Sequence, residues 1–287
     1  MATSTIDDHS TSAAGFENAL EQRTPINLKL HGTIPPWLSG VLYRTGPGTY
    51  RIPTVSDSDN KSIDVQHWFD GLAMHHRFEI SHDNGTPRVT YCSRKGAADL
   101  ETDIASQERW PTVSFGQKAD PCQSIFRKFF TTFKAIRAVH GATPSGVNAQ
   151  VTLMPDMPGM GTDDATATLR NGSPRYIVAA TDANILQILD PDSLEPIEAT
   201  TYSRVDPRLD GQLTAAHGCY DRHAGDFYNY LCKFGGRFPT YQIFRIRKNG
   251  QSDVLATIRD APAAYLHSFG MTEKYVILCV WQAHIAW

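Results

Sequence analysis

The sequence predicts an all-β protein, and three observations carry that reading. Apolar runs of strand length recur along the chain, most of them rich in β-branched or aromatic residues. Clusters of Gly, Pro, Asn, Asp and Ser separate the runs. With 287 residues and 41% apolar content the chain is long enough to bury a real core, as one large β domain or two ordinary ones. Short antiparallel strands at this spacing fit a sandwich, a barrel or propeller blades, and no internal repeat fixes a blade period.

Residues 1–24 are polar and aperiodic and read as a mobile N-terminal arm. The folded part, 25–287, opens with LHGTIPPWLSGVLYRTGPGTYRI, where turns and short strands begin. The runs that follow are TPRVTYCS, PRYIVAA, ANILQILD, DFYNYLCK, TYQIFRIR, SDVLATI and KYVILCVW. Two of them lie back to back in RYIVAATDANILQILDPDSLEP, which predicts a hairpin with TDA as its tight connection and DPDSLEP as its exit turn. One segment breaks the β pattern. In SIFRKFFTTFKAIRAVHG, Phe126, Phe129, Phe130, Phe133 and Ile136 recur at helical spacing, while Arg127, Lys128, Lys134 and Arg137 take the other faces. This predicts a short basic amphipathic helical insertion, either packed on the β core or laying its aromatics at a membrane surface.

Composition removes several function classes. The formal net charge of −3 comes from 27 basic and 30 acidic side chains that are interspersed, so no long-range field recruits nucleic acid. Five cysteines without CxxC spacing fit reduced thiols better than a disulfide framework, which points to a reducing compartment. The opening residues hold no apolar h-region, and nowhere do about 18 uncharged apolar residues run together. The expectation is a cytoplasmic protein, soluble or peripheral to a membrane. There is no GxSxG elbow, P-loop or HExxH, and the GMG before Asp163-Asp164 lacks the third glycine of a dinucleotide fingerprint.

The histidines need separating, because a lone imidazole is more often structural than a ligand. In HWFDGLAMHHRF, residues 67–78, the setting of Trp68, Phe69, Leu72, Met74 and Phe78 predicts a buried strand and turn, with Asp70-Gly71 at the bend. His67, His75 and His76 are then core or turn residues. His217, in LTAAHGCYDRHAGDFYNY, and His267, in AAYLHSFGMTEKYVILCV, each sit at a strand edge, from which a ligand projects into a cavity or a loop histidine makes a hydrogen bond. Lying 50 residues apart on separate hairpins, they meet only if the strands radiate about an axis.

Six segments in order, spanning residues 34–278, resemble the carotenoid cleavage oxygenase family: IPPWLSGVLYRTGPG, HWFDGLAMHHRF, YCSRK, TDANILQILDPDSLEP, TAAHGCYDRHAGDFYNY and YLHSFGMTEKYVIL. YCSRK and FGQKADPCQSIFRKFF look most like the fungal-type branch. The resemblance implies a seven-bladed β-propeller, here incomplete, and an Fe(2+)-dependent dioxygenase. Such an enzyme cleaves a carbon–carbon double bond of an apolar polyene, a carotenoid or apocarotenoid, with O2 to give carbonyl products. Four histidines hold the iron in this family, and His217 matches the first and His267 the second. The motif around TDAN puts Asp182 where the family usually has glutamate, supporting the second ligand. Uptake of an insoluble substrate from a membrane would give Phe126, Phe129, Phe130 and Phe133 a peripheral contact.

The resemblance also places the third and fourth ligands in blades past Trp287. His284, in the strand continuing from His267, matches neither. The expectation is that the chain alone aggregates and holds iron weakly. Two alternatives stay open at this stage: a truncated, catalytically inactive member that binds only lipids or a partner, and a stilbene-cleaving oxygenase with Tyr91 and Lys95 toward the phenol.

Overall fold

The computed structural model of the protein describes residues 14–55, 61–110, 139, 141–161, 173–235 and 238–280. The segments 126–136 and 281–287, with the aromatic helical insertion and His284, lie outside the described residues, as do Asp163, Asp164 and Cys122. What is described is built mostly of strands, as the sequence predicts.

The first sheet has the order β1–β6–β5–β2, all antiparallel, from β1 (Ile26–Asn27), β2 (Gly40–Thr49), β5 (Leu72–Asp83) and β6 (Thr86–Lys95). β3 (Arg51–Pro53) and β4 (Ser62–Asp64) form a separate ribbon. β5 and β6 are joined by Asn84-Gly85 with both residues at positive φ, the pair that a two-residue hairpin turn favours. Residues just before β1 run beside this sheet. Ser93 N–H donates to the Gln22 carbonyl (2.7 Å), Gln22 N–H donates to Ser93 Oγ (2.9 Å), and Lys95 N–H donates to Glu21 Oε1 (2.8 Å).

The second sheet is a meander of β7 (Thr152–Pro155), β8 (Ile177–Ala180), β9 (Leu186–Leu189) and β10 (Pro196–Thr200). β8 and β9 are the hairpin read from RYIVAATDANILQILD, with Ile177 opposite Leu189 and Ala180 opposite Leu186. Every residue of both strands is buried. The reason is the two-residue period of a strand: Ile177, Ala179 and Leu189 pack with Ala149 and Tyr43 on the side of the first sheet. Val178, Ala180, Leu186 and Ile188 face the other way, onto Phe227, Leu231, Phe244 and Ile246 of the third sheet. A strand covered on both faces reads as a continuous apolar run, which is what IVAA is.

The third sheet comprises β11 (Leu213–Thr214), β12 (Cys219–Asp221), β13 (Asp226–Lys233), β14 (Thr240–Ile246) and β15 (Ser252–Ile258). β11 and β12 both pair with β13, so they are one inner strand interrupted at residues 215–218. The opposite face of the sheet, with Tyr230, Cys232, Tyr241 and Ile243, packs on Ala263, Ala264, Leu266 and Val276. There the chain enters a last hairpin of β16 (Gly270–Met271) and β17 (Val276–Ile277). The sheets therefore stack face to face in chain order, each apolar layer shared by two neighbours.

Three departures from the sequence reading are informative. Leu72 and Met74 are buried, but Trp68 and Phe69 are 59% and 54% exposed, because His67 caps a short 3-10 turn over Trp68–Asp70 that lifts both rings off the sheet. Among the described residues of the run KYVILCVW, strand forms at Val276–Ile277 alone. An unexpected helix, α1 (Ala98–Gln107), packs Leu100 and Ile104 on Ile52 and Leu72. Among the described residues, no helix is long and apolar enough to cross a membrane, and Cys92, Cys219, Cys232 and Cys279 are free thiols.

Candidate metal centre

His217 lies in the interruption between β11 and β12, where the inner strand gives up its ladder. A side chain takes over the lost bonds: Asn229 of β13, fully buried, accepts from Ala215 N–H (3.2 Å) and Tyr230 N–H (2.8 Å) and donates to the Ala215 carbonyl (3.0 Å). Gly218 follows because nothing larger fits, since a Cβ there would lie 2.3 Å from Phe227 Cε2. The interruption turns the His217 ring away from the sheet, and its Nδ1 lies 2.8 Å from Thr152 Oγ1 at the start of β7.

His267 comes from the segment that leads to β16. Two buried tyrosines of the third sheet hold that segment. The Tyr241 hydroxyl donates to the Pro262 carbonyl (2.7 Å) and accepts from Ala264 N–H (2.9 Å), and the Tyr230 hydroxyl donates to the Leu266 carbonyl (2.8 Å). His217 and Ser268 form a parallel bridge, so the inner segments of adjacent sheets run side by side. The two imidazoles meet edge to face with ring centroids 4.8 Å apart and planes at 81°.

Asp182 reaches the same place from the β8–β9 connection. Its carbonyl accepts from Thr214 N–H (2.9 Å), and Ala183 bridges Leu213, so the connection is sewn to β11. Its Oδ1 lies 2.8 Å from His267 Nδ1, and the Tyr265 hydroxyl is 3.0 Å from the same nitrogen. Burial raises the Asp182 carboxyl above the ordinary carboxylate range, opposed by His267 and Tyr265. Burial, with His267 nearby, lowers the pKa of His217 and favours the neutral imidazole.

The donor set fits a metal in one respect that geometry alone decides. Both Nδ1 atoms are engaged by oxygen atoms of other side chains, which leaves Nε2 as the ligating nitrogen of each ring. Among the described residues no group of three or more His, Cys, Asp or Glu side chains converges on a metal position. The described site is thus two imidazoles with their supports.

The other histidines of the opening motif are not part of it. His75 Nε2 lies 3.1 Å from Gln187 Oε1, and its Nδ1 2.9 Å from Thr45 Oγ1. His76 Nδ1 is 2.9 Å from the Tyr91 hydroxyl. That contact engages Tyr91, and Lys95 donates to both oxygens of Glu101 at 2.9 Å. Sequence reasoning singled out His217, His267 and Asp182, and the structure brings all three together. It missed Thr152, Asn229 and Tyr265, of which only Asn229 left a signal, as a lone amide inside the apolar strand DFYNYLCK.

Comparison with known proteins supplies the context. The family described as retinal pigment epithelial membrane protein, RPE65, matches residues 15–287. The chain belongs to the RPE65/carotenoid oxygenase family. Similar members include a carotenoid dioxygenase of Neurospora crassa, 37% identical over 99% of this chain and 48% of that protein. A torulene dioxygenase of Gibberella fujikuroi is 38% identical over 96% of this chain and 47% of its own length. The mouse β,β-carotene 15,15'-dioxygenase is 30% identical over 91% and 43%. The fold resembles a variant of the Synechocystis apocarotenoid oxygenase with a TM-score of 0.60 at 19% identity, over 92% of this chain and 47% of that one. The all-β architecture is therefore that of the family's β-propeller structures, and the chain spans about half the length of the curated relatives it matches.

Proposed function

We propose that this chain carries two ligands of an iron centre in a carotenoid-cleaving dioxygenase, His217 and His267, both through Nε2. The observation that carries the reading is the convergence of the two imidazoles from adjacent sheets with both Nδ1 atoms already bonded. The names of the relatives, carotenoid, torulene and β,β-carotene dioxygenases, support an apolar conjugated polyene as the substrate class.

Ferrous iron, when bound, supplies the one-electron chemistry through which triplet O2 reacts with a polyene. The overall change balances without a further reductant: one carbon–carbon double bond breaks, and the two oxygen atoms end in two carbonyl groups. The chain's own residues hold and orient. Thr152 fixes the His217 ring, and Asp182 fixes that of His267 and retains its Nδ1 proton, raising the basicity of Nε2. Neutral imidazoles would leave the charge of the metal ion undiminished.

The test is oxygen-dependent conversion of a carotenoid in detergent micelles by the protein expressed from its complete coding sequence. It is followed by loss of visible absorbance and by incorporation of isotopically labelled O2 into the aldehydes. His217→Ala and His267→Ala are expected to abolish conversion, and Asp182→Asn to lower it by roughly 10- to 100-fold. Conversion that survives both histidine substitutions would overturn the reading.

A further inference from the structure

Tyr265 stands two residues before His267 in the segment that leads to β16. Its hydroxyl comes within 3.0 Å of His267 Nδ1, the nitrogen that Asp182 Oδ1 approaches at 2.8 Å, and its ring lies 6.0 Å from the imidazole, tilted by 39°. Because both approach one nitrogen, the phenol and the Asp182 carboxylate are close neighbours, and each acts on the other in the sense expected of an O–H facing a carboxylate: Tyr265 favours the ionised carboxylate and Asp182 the protonated phenol. Three groups thus close a triangle with two protons to place. Nδ1–H donates to the carboxylate, the stronger acceptor, and the phenol O–H is left to donate to the same carboxylate.

The backbone reinforces the arrangement from both sides. The Tyr230 hydroxyl holds the carbonyl of Leu266, the residue between Tyr265 and His267, and Thr214 N–H holds the carbonyl of Asp182. An aspartate has a short reach and one torsion fewer than a glutamate, so a second donor on its carboxylate decides whether it faces Nδ1 squarely.

We infer that Tyr265 is a positioning residue for the metal centre: its phenol ties the Asp182 carboxylate against His267 Nδ1 and so selects the imidazole tautomer that leaves Nε2 free for a metal. The inference deepens the proposed function and rests on His267 being a ligand. It is tested without metal, so that the two readings fail separately.

The experiment measures the tautomer ratio of His267 by long-range proton–nitrogen NMR in the metal-free protein, in a double-mutant cycle with Tyr265→Phe and Asp182→Asn. Wild type is expected to hold the Nδ1–H tautomer. Tyr265→Phe should shift the ratio by about 2- to 10-fold toward Nε2–H, the net worth of one hydrogen bond. In the Asp182→Asn background the same change should have no further effect, because the phenol acts through the carboxylate. Should Tyr265→Phe fail to fold, 3-fluorotyrosine at position 265, a stronger donor of the same shape, should move the ratio the opposite way. A ratio unmoved by the substitution, or moved equally in both backgrounds, would overturn the inference, as would a ratio unmoved by the fluorinated residue.

Discussion

His75 lies in the joint between the first and second sheets with no surface exposed. The amide of Gln187 donates to the carbonyls of Gly96 (2.6 Å) and Pro144 (2.8 Å), which turns its Oε1 toward His75, so Nε2 carries the imidazole proton and Nδ1 accepts from Thr45. Gly96 is required here, since a Cβ would lie 2.3 Å from Nε2. Burial drives the pKa of His75 down from 6.5 to about 4. A base whose folded pKa is depressed binds fewer protons folded than unfolded between those values. Its stability contribution is therefore whole above pH 6.5 and lost as pH falls toward 4, by roughly 3 kcal/mol in all. In urea unfolding, wild type should lose about that much more than His75→Gln over this range, and parallel curves would refute the assignment. The motif around His75 was legible as structural from its apolar setting. The supports of the metal pair were not: Thr152 and Tyr265 matter only because separate sheets bring them to two nitrogens, which no local spacing encodes.

The element that makes the site is the interrupted inner strand. A continuous strand over residues 213–221 would keep His217 in its ladder. The break frees it, and the buried amide of Asn229 satisfies the backbone that the break leaves unpaired. Asn229→Leu should cost about 3 kcal/mol by stranding the Ala215 groups. Gly218→Ala should cost about 1–3 kcal/mol by driving a methyl into Phe227. Both should move the His217 resonances while leaving those of His75 in place, and chemical denaturation with imidazole NMR checks the pair. The sequence showed the β8–β9 hairpin clearly, because an apolar run bounded by turn residues has few other uses. It concealed α1, whose two buried apolar residues, Leu100 and Ile104, make too short a pattern to announce a helix and depend on packing against Ile52 and Leu72.

At the scale of the whole molecule, the stacking of sheets in chain order turns distant sequence into one site. Thr152 and Asp182 come from the second sheet, His217 from the third and His267 from the segment that leads from it to β16. The shared apolar layers between sheets, with Phe227, Leu231 and Phe244 against Val178 and Ile188, fix their relative positions. Sequence patterning gave the strands but not the way they stack, since sandwich, barrel and blade share one alternation. The order of the family motifs resolved that choice. The central claim, that this stacking presents two Nε2 atoms to one metal ion, is tested most directly by following the imidazole nitrogens during titration with Zn(II), a diamagnetic probe for the ferrous ion. The account predicts that the Nε2 resonances of His217 and His267 move together while both rings retain Nδ1–H. A titration that leaves these two unmoved, or that shifts His31, His82 or His223 instead, would contradict it.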